Sequence, residues 1–154
     1  MDLHVRWHKP VALKEIRAGS NTPLIYDIDL DRIPEEPGVY VFIRKYGTNQ
    51  NPLYVGKAKN LKSRIKQHLT NNVRLLKRIQ NKESGSRAVA FGVFDPKPGQ
   101  QAEKCISLIE RALIRHFLSG GHNLLNISGT HIGKHMLSSV KVSGGFVPHK
   151  IYFE

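Results

Sequence analysis

Cysteine is nearly absent from this chain. Of 154 residues only Cys105 carries a thiol, so no internal disulfide can form and the composition fits a reducing compartment. No apolar run approaches the ~20 residues needed to span a bilayer. The N-terminus lacks a charged region followed by an apolar run, so no signal peptide is read there. Together these absences point to a cytoplasmic chain with no membrane partner. Internal repeats and low-complexity segments are also missing. Acid is the other scarcity: 12 Asp and Glu stand against 24 Lys and Arg, a formal net charge of +12. Between residues 57 and 87 the only acid is Glu83. So uneven a charge argues for a polyanionic partner, most simply nucleic acid, over charge kept for solubility alone. The length fits one domain with room for a core, and a hydrophobic content of 40% is ordinary for a globular protein.

What is present is concentrated in residues 38–69. Residues 39–43 are β-branched and aromatic, which favours a strand opened by Pro37-Gly38. A polar loop over residues 46–52 and a second strand over 53–55 make a β-hairpin. Gly56 suggests a close backbone approach or a kink at the end of that strand. Asn60 is a good N-cap for a basic helix whose apolar positions are Leu61, Ile65 and Leu69. Arg64 and His68, four apart, share a face of that helix, and Lys57 lies on the turn leading into it. A short amphipathic helix over 73–79 and a third strand over 87–94 follow.

The longest periodic stretch, residues 101–118, predicts a helix with Ile106, Ile109, Leu113, Ile114 and Phe117 on one stripe. Glu110 falls within that stripe. A carboxylate facing a core is costly unless paired or bound to a cation, so the residues alone allow either a buried salt bridge, to Arg64 or Arg87, or a metal ligand. Glu103 is a weaker candidate on roughly the same face. Gly120-Gly121 caps the helix, and Asn123 and Asn126 follow in a turn.

The flanks carry less. Residues 3–7 alternate like a strand that Pro10 ends, and residues 19–23 read as a loop. Asp29, Asp31, Glu35 and Glu36 lie among two prolines and read as a solvated connecting turn, not a metal cluster. Residues 129–134 faintly resemble a phosphate-binding loop but are one residue short, with His135 in place of Ser or Thr. His131 and His135 have zinc-ligand spacing without a Glu or an evident third ligand. Residues 150–154 read as a terminal strand.

Two glycine-bracketed tyrosine triplets, Gly38-Val39-Tyr40 and Tyr54-Val55-Gly56, followed by Lys57, by Arg64 and by a helical glutamate, form a specific combination. On these residues the chain resembles the GIY-YIG nuclease superfamily, with local likeness over YVGKAKNLKSRI to the N-terminal incision domain of UvrC. The resemblance covers about residues 37–126. It departs in the distance between the triplets, which a long hairpin loop makes larger than usual.

The resemblance implies an α/β (α+β) fold: a central three-stranded, mainly antiparallel sheet flanked by helices, with extra strands from both ends, in one domain of residues 1–154. It implies a divalent-metal-dependent endonuclease using Mg²⁺ or Mn²⁺ on DNA. In that reading Glu110 is the metal carboxylate and Arg64 the phosphate-binding cation. Tyr40 is the better general base, its phenolate favoured by Lys57 nearby, and Tyr54 orients water or phosphate. His68 shuttles a proton or binds phosphate. The loop asparagine maps to Asn126, with Asn123 kept open. Lys57, Lys59, Lys62, Arg64 and Lys66 would line the DNA. A binding module that kept the fold and lost cleavage is the competing class. Restriction, repair, mobile-element and defence roles all remain open, and restriction would call for loop-borne specificity and a homodimer.

Overall fold

The computed structural model describes residues 2–16, 25–82, 84–126, 139–143 and 150–152. Glu83, the expected loop at 19–23 and the segment holding Gly129, His131, Lys134 and His135 lie outside the described residues.

The hairpin is the centre of the fold. Strand β4 (Gly38–Tyr46) and strand β5 (Asn49–Ala58) pair antiparallel along their whole length. The expected long loop is therefore almost all strand. Tyr46 pairs with Asn49, and only Gly47 and Thr48 turn the chain. Gly47 has φ of +62°, the left-handed value that a II′ hairpin turn needs at its first central position and that glycine adopts without a Cβ clash. The extra residues between the triplets lengthen the strands, and one is absorbed by a bulge. Phe42 pairs with Tyr54 and Ile43 with Pro52, leaving Leu53 over. Pro52, which has no N–H for a ladder bond, sits at that irregularity on a strand whose other edge pairs with no strand among the described residues.

Strand β6 (Ser86–Asp95) pairs antiparallel with β4 on its other side, completing the expected three-stranded core. The far edge of β6 is covered end to end by two short strands, β1 (Asp2–Trp7) and β2 (Val11–Glu15). Pro10 sits at their junction, and the His8 N–H still donates to the Phe91 carbonyl at 2.8 Å. What the sequence presents as a strand ended by proline is thus the first half of a bent edge. The two-residue β3 (Tyr26–Asp27) adds to β2. β7 (Ser139–Ser143) adds parallel to β1, and β8 (Lys150–Tyr152) adds antiparallel to β7. The terminal strands read from the sequence are therefore in the sheet.

Among the described residues three α-helices cover the sheet: α1 (Leu61–Asn71), α2 (Val73–Gln80) and α3 (Ala102–Ser119). Period-two alternation along β4 sorts its side chains to two cores. Val39, Val41 and Ile43 face α3 with Cys105, Ile109 and Leu113. Tyr40 and Phe42 face α1 and α2 with Leu61, Ile65 and Leu76. The acidic turn forms as expected: Asp29 accepts from the Asp31 N–H, while Glu35 and Glu36 pair loosely with Lys62 and Arg6. Among the described residues no helix is long and apolar enough to cross a membrane.

Candidate active site

The register of β4 on β5 explains why the two triplets come as a pair. Tyr40 is directly opposite Gly56. A Cβ built on Gly56 would lie 2.2 Å from both Cζ and Oη of Tyr40, so the tyrosine ring of the first triplet occupies the space that the glycine of the second leaves open. Tyr40 is 1% exposed.

Helix α1 brings its polar face to this ring. Asn60 starts it, its side chain accepting from the Ser63 N–H at 3.0 Å, and Leu61, Ile65 and Leu69 anchor it in the core. His68, one turn after Arg64, is thereby buried, and its Nε2 lies 2.6 Å from Tyr40 Oη. The rings of Tyr40, Phe42 and Tyr54 surround the imidazole, with centroids 5.5, 6.0 and 6.2 Å away. Asn72 closes the remaining side, Nδ2 at 3.1 Å from His68 Nδ1. Arg64 stays exposed, its Nη1 donating to Gln67 at 2.8 Å.

Helix α3 approaches the same end of β5 from the other face. Lys57 Nζ donates to Ser107 Oγ at 2.7 Å. Glu110, one turn on, is half-buried and, among the described residues, in no ion pair. Neither salt bridge considered from the sequence forms. Arg87 is turned to the carbonyls of Ile79, Lys82 and Gly85, where it ties the end of α2 to β6. Burial pushes the Glu110 carboxyl above the usual range, opposed by the positive charges of Lys57, Arg111 and Arg64. Glu103, the weaker candidate, is exposed and 3.7 Å from Lys59.

Lys57 was expected to favour a tyrosine phenolate. The cation that bears on both tyrosines is instead Arg64, and Lys57 bears on Glu110. Burial raises both phenols above their ordinary value, Tyr40 much more than Tyr54, so both are neutral in the isolated protein at neutral pH. His68 is moved the other way. Burial, and then the charge of Arg64, lower it to about 4, so it too is neutral. A histidine whose value is depressed from 6.5 by folding leaves the unfolded state binding more protons between those two pH values, so stability falls as pH drops through that window. The loss is expected to total roughly 3 kcal/mol. Urea melts at pH 7 and pH 4, compared with those of His68→Gln, check this. An unchanged pH dependence in the variant would refute it.

The two asparagines separate clearly. Asn126 makes a two-way bond with the edge of β5: Oδ1 accepts from the Val55 N–H at 3.0 Å and Nδ2 donates to the Val55 carbonyl at 2.7 Å. Leu125 N–H donates to the Leu53 carbonyl at 2.7 Å. This segment acts as a short substitute strand that fixes Tyr54 between its two anchors. Asn123 is exposed and lines a separate pocket with Arg44, Asn51 and Leu53.

A cleft of about 550 Å³ opens between the start of α1 and α3, lined by Lys57, Lys59, Arg64, Gln67 and Glu103 among others. Three of the five expected DNA-facing cations therefore share one groove. Lys62 instead sits 3.9 Å from Glu35, and Lys66 is exposed further along α1. Sequence reasoning missed Asn72 and Ser107. Each was signalled only by helical spacing, Asn72 four residues after His68 and Ser107 three before Glu110.

The comparison with known families joins these residues to a motif. Residues 36–95 match the UvrC-like GIY-YIG domain. This segment is also similar to UvrABC system protein C of Methanospirillum hungatei, 63% identical over 38 residues, 25% of this chain and 7% of that protein. Similar proteins from Deinococcus radiodurans and Aquifex aeolicus are 55% and 50% identical over 40 residues, each 26% of this chain and 6% of the relative. The chain thus spans only a small fraction of the length of the curated relatives it matches. No solved structure matches. The GIY-YIG likeness supports nuclease chemistry in general terms. It reaches Tyr40, Tyr54, Lys57, Arg64 and His68 but ends before α3, so Glu110 and Asn126 are tied to the motif by the fold.

Proposed function

We propose that this chain is a divalent-metal-dependent endonuclease that hydrolyses DNA phosphodiester bonds, built as one domain of residues 1–154 on the core 37–126. The observation that carries the reading is the placement of Glu110. A half-buried carboxylate, in no ion pair among the described residues, stands amid Lys57, Arg64 and Arg111, at the same end of β5 as Tyr54 and the His68-bound Tyr40. Among the described residues no three His, Cys, Asp or Glu side chains gather as a metal cluster. A single carboxylate fits a hard, oxygen-seeking ion such as Mg²⁺ or Mn²⁺, which keeps most of its waters and takes the rest of its ligands from phosphate. When bound at Glu110, such an ion would neutralise charge on the phosphate and leaving oxygen.

The chain's own residues supply the rest. Arg64, exposed in the cleft, binds the phosphate with a planar guanidinium. Lys57 and Lys59 extend the positive groove along the backbone. Tyr40 is the proton acceptor for the attacking water: its oxygen is hydrogen-bonded to an imidazole and lies near Arg64, two features that favour the phenolate against the penalty of burial. Tyr54, half-buried, orients water or phosphate, and Asn126 holds its strand in place. Such a site works in an intracellular setting on DNA, and a homodimer would supply the symmetry that restriction requires.

The test is incubation with supercoiled plasmid and Mg²⁺ or Mn²⁺, with EDTA as control. Cleavage dependent on the ion is expected. Because the phenol lies above its ordinary value, the phenolate fraction grows with pH, and the single-turnover rate should rise by about tenfold per unit through the neutral range. A flat profile would remove Tyr40 as base. The deep burial of Tyr40 favours one other reading, a binding module without cleavage. Tight, salt-sensitive binding with no nicking would establish it.

A further inference from the structure

The hydrogen bonds around His68 determine which ring nitrogen carries its proton. Asn72 belongs to two helices at once. Its backbone N–H closes α1 on the His68 carbonyl, and its side-chain Oδ1 accepts from the Leu75 N–H at 3.3 Å, capping α2. A backbone N–H can only donate, so the amide oxygen must face it. That leaves Nδ2, which can only donate, facing His68 Nδ1 at 3.1 Å. The nitrogen it meets must be the unprotonated one. A neutral imidazole then carries its proton on Nε2, which lies 2.6 Å from Tyr40 Oη.

We propose that Asn72 is a positioning residue that holds His68 in the Nε2–H tautomer, so that the imidazole donates to the Tyr40 oxygen and does not accept from it. The consequence for proton movement is direct. His68 in this form cannot relay a proton taken from Tyr40, so the shuttle role read for it from the sequence gives way to that of a fixed donor. The donor stabilises negative charge on the phenolic oxygen, and the Tyr40 proton is left to an acceptor other than His68. The Arg64 guanidinium also hydrogen-bonds the phenol, but it can only donate, so that acceptor is solvent or substrate. The groups that face this pair are Arg64 on α1, Tyr54 on β5 and Glu110 on α3. Arg64 also disfavours an imidazolium, which keeps the single-proton form in place.

The tautomer assignment stands on hydrogen-bond geometry alone, whereas its effect on cleavage rests on the nuclease reading above. Asn72→Asp separates the two roles of the side chain. Aspartate caps a helix as well as asparagine does, so α2 keeps its start, but the atom turned to Nδ1 becomes an acceptor. Nitrogen-detected NMR of the imidazole in the ¹⁵N-labelled full chain should show wild-type His68 protonated at Nε2 only. Asn72→Asp should show a proton on Nδ1. Cleavage should fall at least tenfold, with plasmid binding unchanged. Asn72→Ser, another good cap, should keep the melting temperature and lose the tautomer preference. A wild-type ring protonated at Nδ1, or an aspartate variant with an unchanged ring, overturns the proposal. If the wild type shows the expected ring but does not cut DNA, the nuclease reading fails and the tautomer assignment stands.

Discussion

Glu110→Ala is expected to remove DNA cleavage by at least about a thousand-fold, and to leave the protein folded and its DNA binding intact. The three parts of this result have separate causes. Cleavage is lost because no other carboxylate takes its place: Glu103, the nearest candidate on α3, is solvent-exposed and paired with Lys59. Binding is kept because the substitution removes a negative charge that acts on Lys57 and Arg64, two of the cations lining the groove, which strengthens the attraction to phosphate. Stability does not fall, and the sign follows from the carboxyl itself. Its value in the folded protein is raised by burial, so at neutral pH the folded state pays more than the unfolded state for the ionised form, and removing the group relieves that cost. A melting temperature at or above the wild type's, no nicking of plasmid with Mg²⁺ or Mn²⁺, and unchanged binding in EDTA are the expected readings. Cleavage at the wild-type rate would end the assignment of Glu110 as the metal carboxylate. A variant that unfolds would make Glu110 a structural residue in place of a metal ligand.

How much of this was legible in the sequence depends on the range over which each signal acts. The core strands, all three helices and the N-cap at Asn60 are local: alternation, helical periodicity and a capping side chain state them within a few residues. The glutamate in an apolar stripe was also legible, because a buried charge is costly wherever it stands. What escaped were relations between segments. The length of the hairpin was hidden because residues 46–52 are polar and look like a loop, yet a single left-handed Gly47 turns the chain and the polar residues pair across it. The second half of the bent edge strand was hidden by Pro10, which reads as a terminus and is a junction. The partner of Lys57 could not be read at all. It depends on how α3 crosses β5, and the ammonium meets Ser107 and the field of Glu110 in place of a tyrosine. Asn72 looked like a helix-boundary asparagine, which it is. That its other amide atom reaches His68 follows only once α1 and α2 are folded against each other.

Gly56→Ala is expected to cost about 3 kcal/mol of stability and to reduce cleavage by at least about a hundred-fold. The added Cβ would stand 2.2 Å from Cζ and Oη of Tyr40, well inside contact distance. The far end of a side chain can often swing aside at little cost, but this one is confined. The ring is 1% exposed, packed edge-on against Phe42 at 5.9 Å between centroids, and bonded to His68 at 2.6 Å. Moving it breaks that hydrogen bond and opens the core that anchors α1, so stability and activity fall together. A double-mutant cycle isolates the cause. In a Tyr40→Ala background the clashing atoms are gone, and Gly56→Ala should then cost little, giving a coupling close to the full single-mutant cost. Additive losses would show that Gly56 is needed for its backbone conformation and not for the space it leaves. Strong coupling would give the physical reason the two triplets occur together: each supplies half of one contact, and the register of β4 on β5 brings the halves face to face.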